Sequence, residues 1–370
     1  VLILAPSNYP LFVPGVQVLQ ALATGNVVRV KPAPGCSAPL LRMADLLAQS
    51  GLPRGILEVL GDTVEAAERA IGARPDKVIL TGTVETGRSV LSSLAQFVIP
   101  ATMELSGCDA AFVCEDADLD LAANALLYGL RLNRSATCIA PRRVFCVRRH
   151  LPAFAERIEM GLSQLPAVNL PAARRAKVEA LLDDAERQGA QVIIGQTVDR
   201  DRFSPVLVHN AVPSMALLQA DVFAPVLSLV EVRDLDEALD GNRQCPYALG
   251  ASIFAAPDTA AKLADLIEVG VVTINDVIVP TADPRLPFGG RRASGFGVTR
   301  GREGLLDMTV PKVTIERRGR FRPHYAPPRD DDVDLYLAYI EAVHGAGMRR
   351  MTAFGRLVVR LARRMGIKRQ

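Results

Sequence analysis

Tryptophan is absent from this 370-residue chain, and aromatic residues make up only 5% of it. Stacking platforms for single-stranded nucleic acid are therefore not a main theme. Neither sign of charge dominates: the formal net charge of +3 is too small to argue for a polyanionic partner. No apolar run reaches the length of a membrane span. The six cysteines, Cys36, Cys108, Cys114, Cys138, Cys146 and Cys245, are irregularly spaced. They form neither zinc-type pairs nor a dense disulfide framework. No metal is expected, and a reducing cytoplasm is the default compartment. Val1-Leu-Ile-Leu4 has no Met and no charged stretch before it. It reads as a strand rather than a signal peptide, and the chain as one that starts partway into a domain.

What is present is ordinary globular composition, 49% hydrophobic and 22% charged, at a length sufficient for two domains with ample cores. Short apolar runs alternate with helical spacing. Val1–Ala5, Val27–Val30, Ile56–Leu60, Val78–Leu80 and Val98–Pro100 read as strands. Pro14–Gly25, Leu40–Gln49, Val64–Ile71 and the stretch from Gly87 to Phe97 read as helices. The alternation predicts a parallel α/β sheet, and ligands of such sheets bind at the carboxyl ends of the strands. The same reading continues with a strand at Ala111–Val113, a helix at Asp116–Leu130 and helices at Leu151–Leu165 and Ala172–Gln188. Strands follow at Val192–Gly195, Val206–Val208, Ala251–Phe254 and Val271–Asn275, with a helix at Thr259–Ile267.

The most informative stretch is Asn133-Arg-Ser-Ala-Thr-Cys138-Ile-Ala-Pro-Arg-Arg143. Cys138 lies in a short polar segment between an apolar helix and a buried strand. Ser135, Ala136 and Thr137 are small enough to let a substrate approach the sulfur. The cations Arg142 and Arg143 follow at once, and a nearby cation favours the thiolate. By itself this is weak, since a Cys between apolar runs is more often a small buried hydrophobe. Thr81-Gly-Thr83-Val-Glu-Thr-Gly87 is a strand, a Gly-containing turn and a helix start. That geometry offers free N–H groups and a helix dipole to a diphosphate, although it is not a G-x-G-x-x-G fingerprint. Glu104 and Lys31 read most simply as solvated strand ends.

Five stretches in order resemble the aldehyde dehydrogenase superfamily, from Val1 to about Arg317. They are Ala5-Pro-Ser-Asn8-Tyr-Pro10, Val28-Arg-Val-Lys31-Pro32, Thr102-Met-Glu104-Leu-Ser-Gly107, the Cys138 segment, and Leu286-Pro-Phe288-Gly-Gly290 with Ser294-Gly295-Phe-Gly297. The resemblance implies a Rossmann-like parallel-sheet cofactor domain at 1–105 and an α/β catalytic domain at 106–305. It also implies a return strand for assembly at 306–318 and a homo-oligomer. It makes Cys138 the nucleophile, Glu104 the base that activates water, and Asn8 an oxyanion donor. Lys31, Thr81, Gly82, Thr83, Gly87, Asp221 and Phe223 would hold NAD or NADP, and the substrate would be a small aldehyde. The family's K-P-S-E carboxylate, which favours NAD, is Pro34 here. Ser106 stands for the first Gly of E-L-G-G, Ser135 and Ala136 for Gly and Gln of N-x-G-Q-x-C, Asp221 for a Glu, and Thr299 for a second carboxylate. Glu104 argues against the thioester-forming and CoA-acylating reductases of the superfamily, which generally lack it. The substitutions leave a nucleotide-binding pseudoenzyme as the rival of a different class.

Residues 319–344 read as a linker and 345–370 as a basic amphipathic helix. Met351, Phe354, Val358, Leu361 and Met365 share one face, with most of the arginines opposite. Such a tail suits peripheral contact with an anionic membrane, or packing on protein.

Overall fold

In the computed structural model, residues 1–195, 202–319, 322–325 and 327–364 are described. They divide into two compact units, Val1–Val310 and Pro311–Gln370.

The first unit begins as alternating strands and helices: β1 (Leu2–Leu4), α1 (Phe12–Ala23), β2 (Val28–Lys31), α2 (Ser37–Gln49), β3 (Leu57–Val59), α3 (Val64–Gly72), β4 (Val78–Thr81), α4 (Val84–Ala95) and β5 (Ala101–Glu104). Thr63 and Thr83 cap α3 and α4, each hydroxyl accepting an N–H three residues on, which satisfies a donor that the first turn leaves free. The strands are short and apolar on both faces. Leu2, Leu4, Val78 and Leu80 pack to one side, and Ile3, Val28, Val30 and Ile79 to the other, as a parallel sheet covered by helices requires. The sheet order is β15-β5-β4-β1-β2-β3. Its connection reverses between β1 and β4, so the loops after these two strands flank the crevice where such sheets bind ligands.

The second sheet is built from β6 (Asp109–Val113), α5 (Leu119–Arg131), β7 (Pro141–Val147), α6 (Leu151–Leu162), α7 (Ala172–Arg187), β8 (Gln191–Ile194), β9 (Val206–His209), β10 (Val226–Val232), α8 (Leu235–Arg243), β11 (Tyr247–Ala248), β12 (Gly250–Phe254), α9 (Pro257–Leu266) and β13 (Val271–Ile274). Its order is β13-β12-β6-β7-β10-β9-β8. Only the β8–β9 pair in it is antiparallel. Phe112 and Phe145, on neighbouring strands, stack with centroids 5.4 Å apart inside one of its two cores.

The Gly-rich segment forms β14 (Arg291–Arg292) and β15 (Gly295–Phe296), followed by α10 (Gly301–Leu306). β15 pairs antiparallel with β5, so that Gly295 faces Glu104. The first sheet thus draws on residues beyond 1–105. At Gly295, φ is +100°, and a Cβ would stand 1.9 Å from the Met103 carbonyl oxygen. Only glycine permits that approach.

Several expectations need correction. Val98–Pro100 is not a strand: the strand is β5, so Glu104 lies within it. The return strand expected at 306–318 would pair with a partner subunit; in the single chain Val310, Val313 and Ile315 are exposed and lie outside the described strands. The expected linker contains α11 (Asp332–His344), and α12 (Gly347–Arg364) follows it. Met365, Lys368 and Arg369 lie outside the described residues.

Phe145→Ala should lower stability by about 3–5 kcal/mol, because a buried ring and its stacking partner are lost together. A urea midpoint that falls at unchanged slope would record it.

Candidate active site

Cys138 follows α5 in a loop that turns back sharply. Asn133, Arg134 and Ser135 have φ of +47°, +56° and +64°, three left-handed residues in succession, none of them glycine. Arg142 holds the turn. It is buried, and its guanidinium donates to Ser135 Oγ at 2.6 Å, to the Ser135 carbonyl at 2.5 Å and to the Ala224 carbonyl at 2.7 Å. Asn133 Nδ2 donates to the Asn8 carbonyl at 2.8 Å, and Asn8 Nδ2 to the Ala136 carbonyl at 3.1 Å. The Tyr9 and Thr137 hydroxyls meet at 2.8 Å. The Cys138 loop is thereby tied to the loop after β1, across the two sheets. At Gly107, a Cβ would stand 2.6 Å from the Cys138 carbonyl oxygen, so the Glu104 and Cys138 segments approach too closely for a side chain there.

These segments enclose a cavity of about 720 Å³ lined by Asn8, Thr81, Gly82, Thr83, Glu104, Cys138, Asp221 and Phe223, among others. Eight of the ten residues singled out by sequence therefore converge on one space. Lys31, buried at the end of β2, and Gly87 do not line it. Gly87 instead lets Leu105 pack against α4, where a Cβ would stand 2.8 Å from a Leu105 methyl. Among the cysteines, Cys138 alone lines the cavity; Cys108, Cys114, Cys146 and Cys245 are buried elsewhere.

The electrostatics follow from burial. The Cys138 thiol is pushed up by desolvation and then by the charge of Glu104. The buried Glu104 carboxyl is raised by desolvation, against the opposing pull of Arg300, Thr81 and Thr299. Thr81 Oγ1 donates to Glu104 Oε2 at 3.5 Å. A raised carboxyl is suited to accept a proton near neutral pH. The expectation that Arg142 and Arg143 assist Cys138 is corrected for Arg143 alone. Arg143 donates to the Cys108 carbonyl at 2.8 Å and to Asn242 Oδ1 at 2.9 Å. Both arginines hold backbone, but the Arg142 charge also couples to Cys138, and Arg300 opposes the upward shift of the Cys138 thiol.

Arg300 was missed by sequence reasoning, although it adjoins Thr299. Its φ is +63°, its backbone N–H donates to Gln20 Oε1 at 3.0 Å, and its guanidinium lies 4.3 Å from the Phe288 ring centroid and donates to the Thr281 carbonyl. Arg174 and Lys177 were missed as well. They lie three apart on α7, a spacing that puts both on one face, and both line the cavity. Lys177 also lowers Glu85 in the first turn of α4, so its charge adds to the positive end of that helix.

The cavity fits a dinucleotide on observations of its own. Asp221 Oδ1 is buried and has no hydrogen-bond partner, which leaves an acceptor for a hydroxyl. Burial raises the Asp221 carboxyl, with Ser106, Arg142, Lys177 and Arg174 opposing. Thr83, which caps α4, lines the crevice and brings the positive end of that helix to it, while the Gly82 N–H is held by the Glu104 carbonyl at 3.0 Å.

Comparison with known proteins agrees with this geometry. The chain matches the model described as "Aldehyde dehydrogenase family" over residues 1–314. It is 32% identical to a protein of Methylomonas sp named 4,4'-diapolycopene aldehyde oxidase, over 93% of this chain and 67% of that protein. It is 31% identical to the NADP-dependent glyceraldehyde-3-phosphate dehydrogenase of Streptococcus equinus, over 85% of this chain and 68% of that protein. Among solved structures, an NAD-dependent aldehyde dehydrogenase from Sinorhizobium meliloti superposes with a TM-score of 0.80 at 27% identity, covering 86% of this chain and 67% of the other. The chain thus spans about two-thirds of the length of these relatives.

Because burial raises Glu104 above its ordinary value of 4.5, its ionised form opposes folding. Glu104→Gln should therefore raise Tm at neutral pH. The gain should shrink as pH falls and be lost well below 4.5, where the wild-type carboxyl is neutral in both states. Thermal unfolding of both proteins across pH tests this, and a lower Tm for the variant at neutral pH would contradict it.

Proposed function

The chain belongs to the aldehyde dehydrogenase family, and we propose that it oxidises an aldehyde to a carboxylic acid through Cys138 and Glu104, with NAD or NADP in the shared cavity. The observation that carries this reading is the convergence of Cys138, Glu104 and the unpartnered Asp221 Oδ1 on one enclosed space.

The Cys138 thiol gives up its proton to water, and the thiolate attacks the aldehyde carbon to form a thiohemiacetal oxyanion, which collapses to the thioester as hydride leaves. Asn8 Nδ2 has two hydrogens; one is engaged by the Ala136 carbonyl, and the other is free to donate to the developing oxyanion with the Cys138 backbone N–H. Bound nicotinamide dinucleotide supplies the hydride acceptor that converts the thiohemiacetal to a thioester. Glu104, its carboxyl raised by burial, takes a proton from water, which attacks the thioester carbonyl. The acid leaves and the thiolate returns. Thr299, where the family's second carboxylate would lie, hydrogen-bonds Glu104 instead, so Glu104 serves alone as base. Asp221 would hold the cofactor through a ribose hydroxyl, and Thr83, Lys177 and the start of α4 would hold its diphosphate.

Cys138 and Glu104 should fail at different steps. Cys138→Ala should abolish cofactor reduction over an aldehyde panel. Glu104→Gln should release about one equivalent of reduced cofactor in a burst and then turn over at least ~100-fold more slowly, with the acyl group found on Cys138 by mass spectrometry. Retained turnover in Cys138→Ala, or an adduct on another cysteine, would remove the centre of the reading.

Pro34 sits in the turn after Lys31, and no carboxylate stands where the family carries its NAD-favouring one. Asp62, which raises Lys31 against desolvation, accepts from the Gly35 N–H at 2.8 Å. Discrimination against NADP should accordingly be weak. Pro34→Glu should shift the ratio of kcat/KM values toward NAD by about tenfold, ~1.4 kcal/mol. Strong NAD selectivity in the unaltered chain would contradict the argument.

A further inference from the structure

The helical hairpin of the second unit reverses the usual arrangement in water. Its inner seam is small and charged. Ala338, Ala342 and Ala353 are buried. Ion pairs join the helices at Arg356–Glu341, Arg360–Asp334 (2.9 Å) and Arg364–Asp332, and Arg350 Nε donates to the Ala342 carbonyl at 3.1 Å. Leu335 is buried with these alanines, but most of the large apolar side chains lie outside this seam. Met348, Met351, Phe354, Val358 and Leu361 recur at helical spacing along α12, Met351 at 73% exposure and Phe354 at 60%. Tyr336, Leu337, Tyr339, Ile340 and Val343 of α11 are exposed as well. A hairpin stable in water alone would turn such stripes inward, and a contiguous exposed apolar surface marks an interaction site.

We propose that α11 and α12 form an in-plane binding surface for an anionic lipid bilayer. Charge selects this occupant. Residues 311–370 carry 14 Lys and Arg against 6 Asp and Glu, a formal excess of eight positive charges. In a chain whose total is +3, the first 310 residues therefore carry an excess of five negative charges. The three acids of α11 that could repel anionic headgroups, Asp332, Asp334 and Glu341, are each paired with an arginine of α12. Arg349 and Arg363 make no ion pair among the described residues and remain to meet lipid phosphates. A second copy would set one positive unit against another, which disfavours self-association through this face. Tyr336 and Tyr339 suit the boundary between acyl chains and headgroups, and arginine stems can lie along apolar surface while their heads reach water. No described helix is long and apolar enough to cross a membrane, so the helices lie along the surface.

Vesicle flotation of the full chain tests the proposal, using phosphatidylcholine with and without phosphatidylglycerol. Binding should require phosphatidylglycerol and weaken about tenfold or more as salt rises. Met351→Ser with Phe354→Ser should abolish it, and Arg349→Gln with Arg363→Gln should weaken it about tenfold, since each cation near the surface contributes about 1 kcal/mol. All four positions are exposed, so helicity by circular dichroism and turnover of a soluble aldehyde should be unchanged in both variants. Absence of binding to anionic vesicles would overturn the proposal. So would concentration-dependent self-association in sedimentation that the serine variant removes, which would assign the face to a second copy.

Discussion

The site depends on desolvation. Cys138 and Glu104 share a crevice where both lose solvent, and the charge of Glu104 further raises the energy of the Cys138 thiolate. The chain tolerates this because its backbone is held from both sides. Gly107 and Gly295 remove the side chains that would force the segments apart. Arg142 clamps the left-handed loop that delivers Cys138. A partly buried cation, Arg300, moderates the field without a direct ion pair to Glu104 among the described contacts. Burial therefore sets the chemistry, while the surrounding hydrogen bonds keep the buried groups in place.

The cations divide their work by position. Arg142 and Arg143 spend their donors on carbonyls and on the Ser135 and Asn242 side chains, and so act on backbone shape. Arg174 and Lys177 line the cavity, and Lys177 acts on the first turn of α4 through Glu85, where its charge adds to the helix dipole. In the second unit, three arginines neutralise three acids across a helical seam, which leaves most of the large apolar side chains outside. Residue type alone separates none of these roles.

Much of the architecture was legible in the sequence. Parallel strands buried on both faces show as unbroken apolar runs, so β1, β2, β4 and β6 could be placed within a residue or two. Helix α11 was not: its large apolar residues recur almost all round, without the polar face that signals an amphipathic helix, and read as part of a linker. Strand β10 was passed over because its start coincides with the Asp221–Val226 motif.

Sequence by itself determined the α/β alternation, the nucleophile and base candidates, and the resemblance that ordered them, because these depend on local period and residue identity. Tertiary structure decided the rest. Glu104 lies inside a strand because β15 returns from nearly two hundred residues away to pair with it. Arg300 acts on Cys138 from far along the chain, beside Arg142 from the same segment, because distance in space, not in sequence, sets an electrostatic interaction. Lys31 and Gly87 stay outside the cavity because Lys31 lies beside Asp62 at the end of β2 and Gly87 packs under Leu105. Burial, and with it every pKa shift at the site, exists only once the two sheets have closed around the crevice.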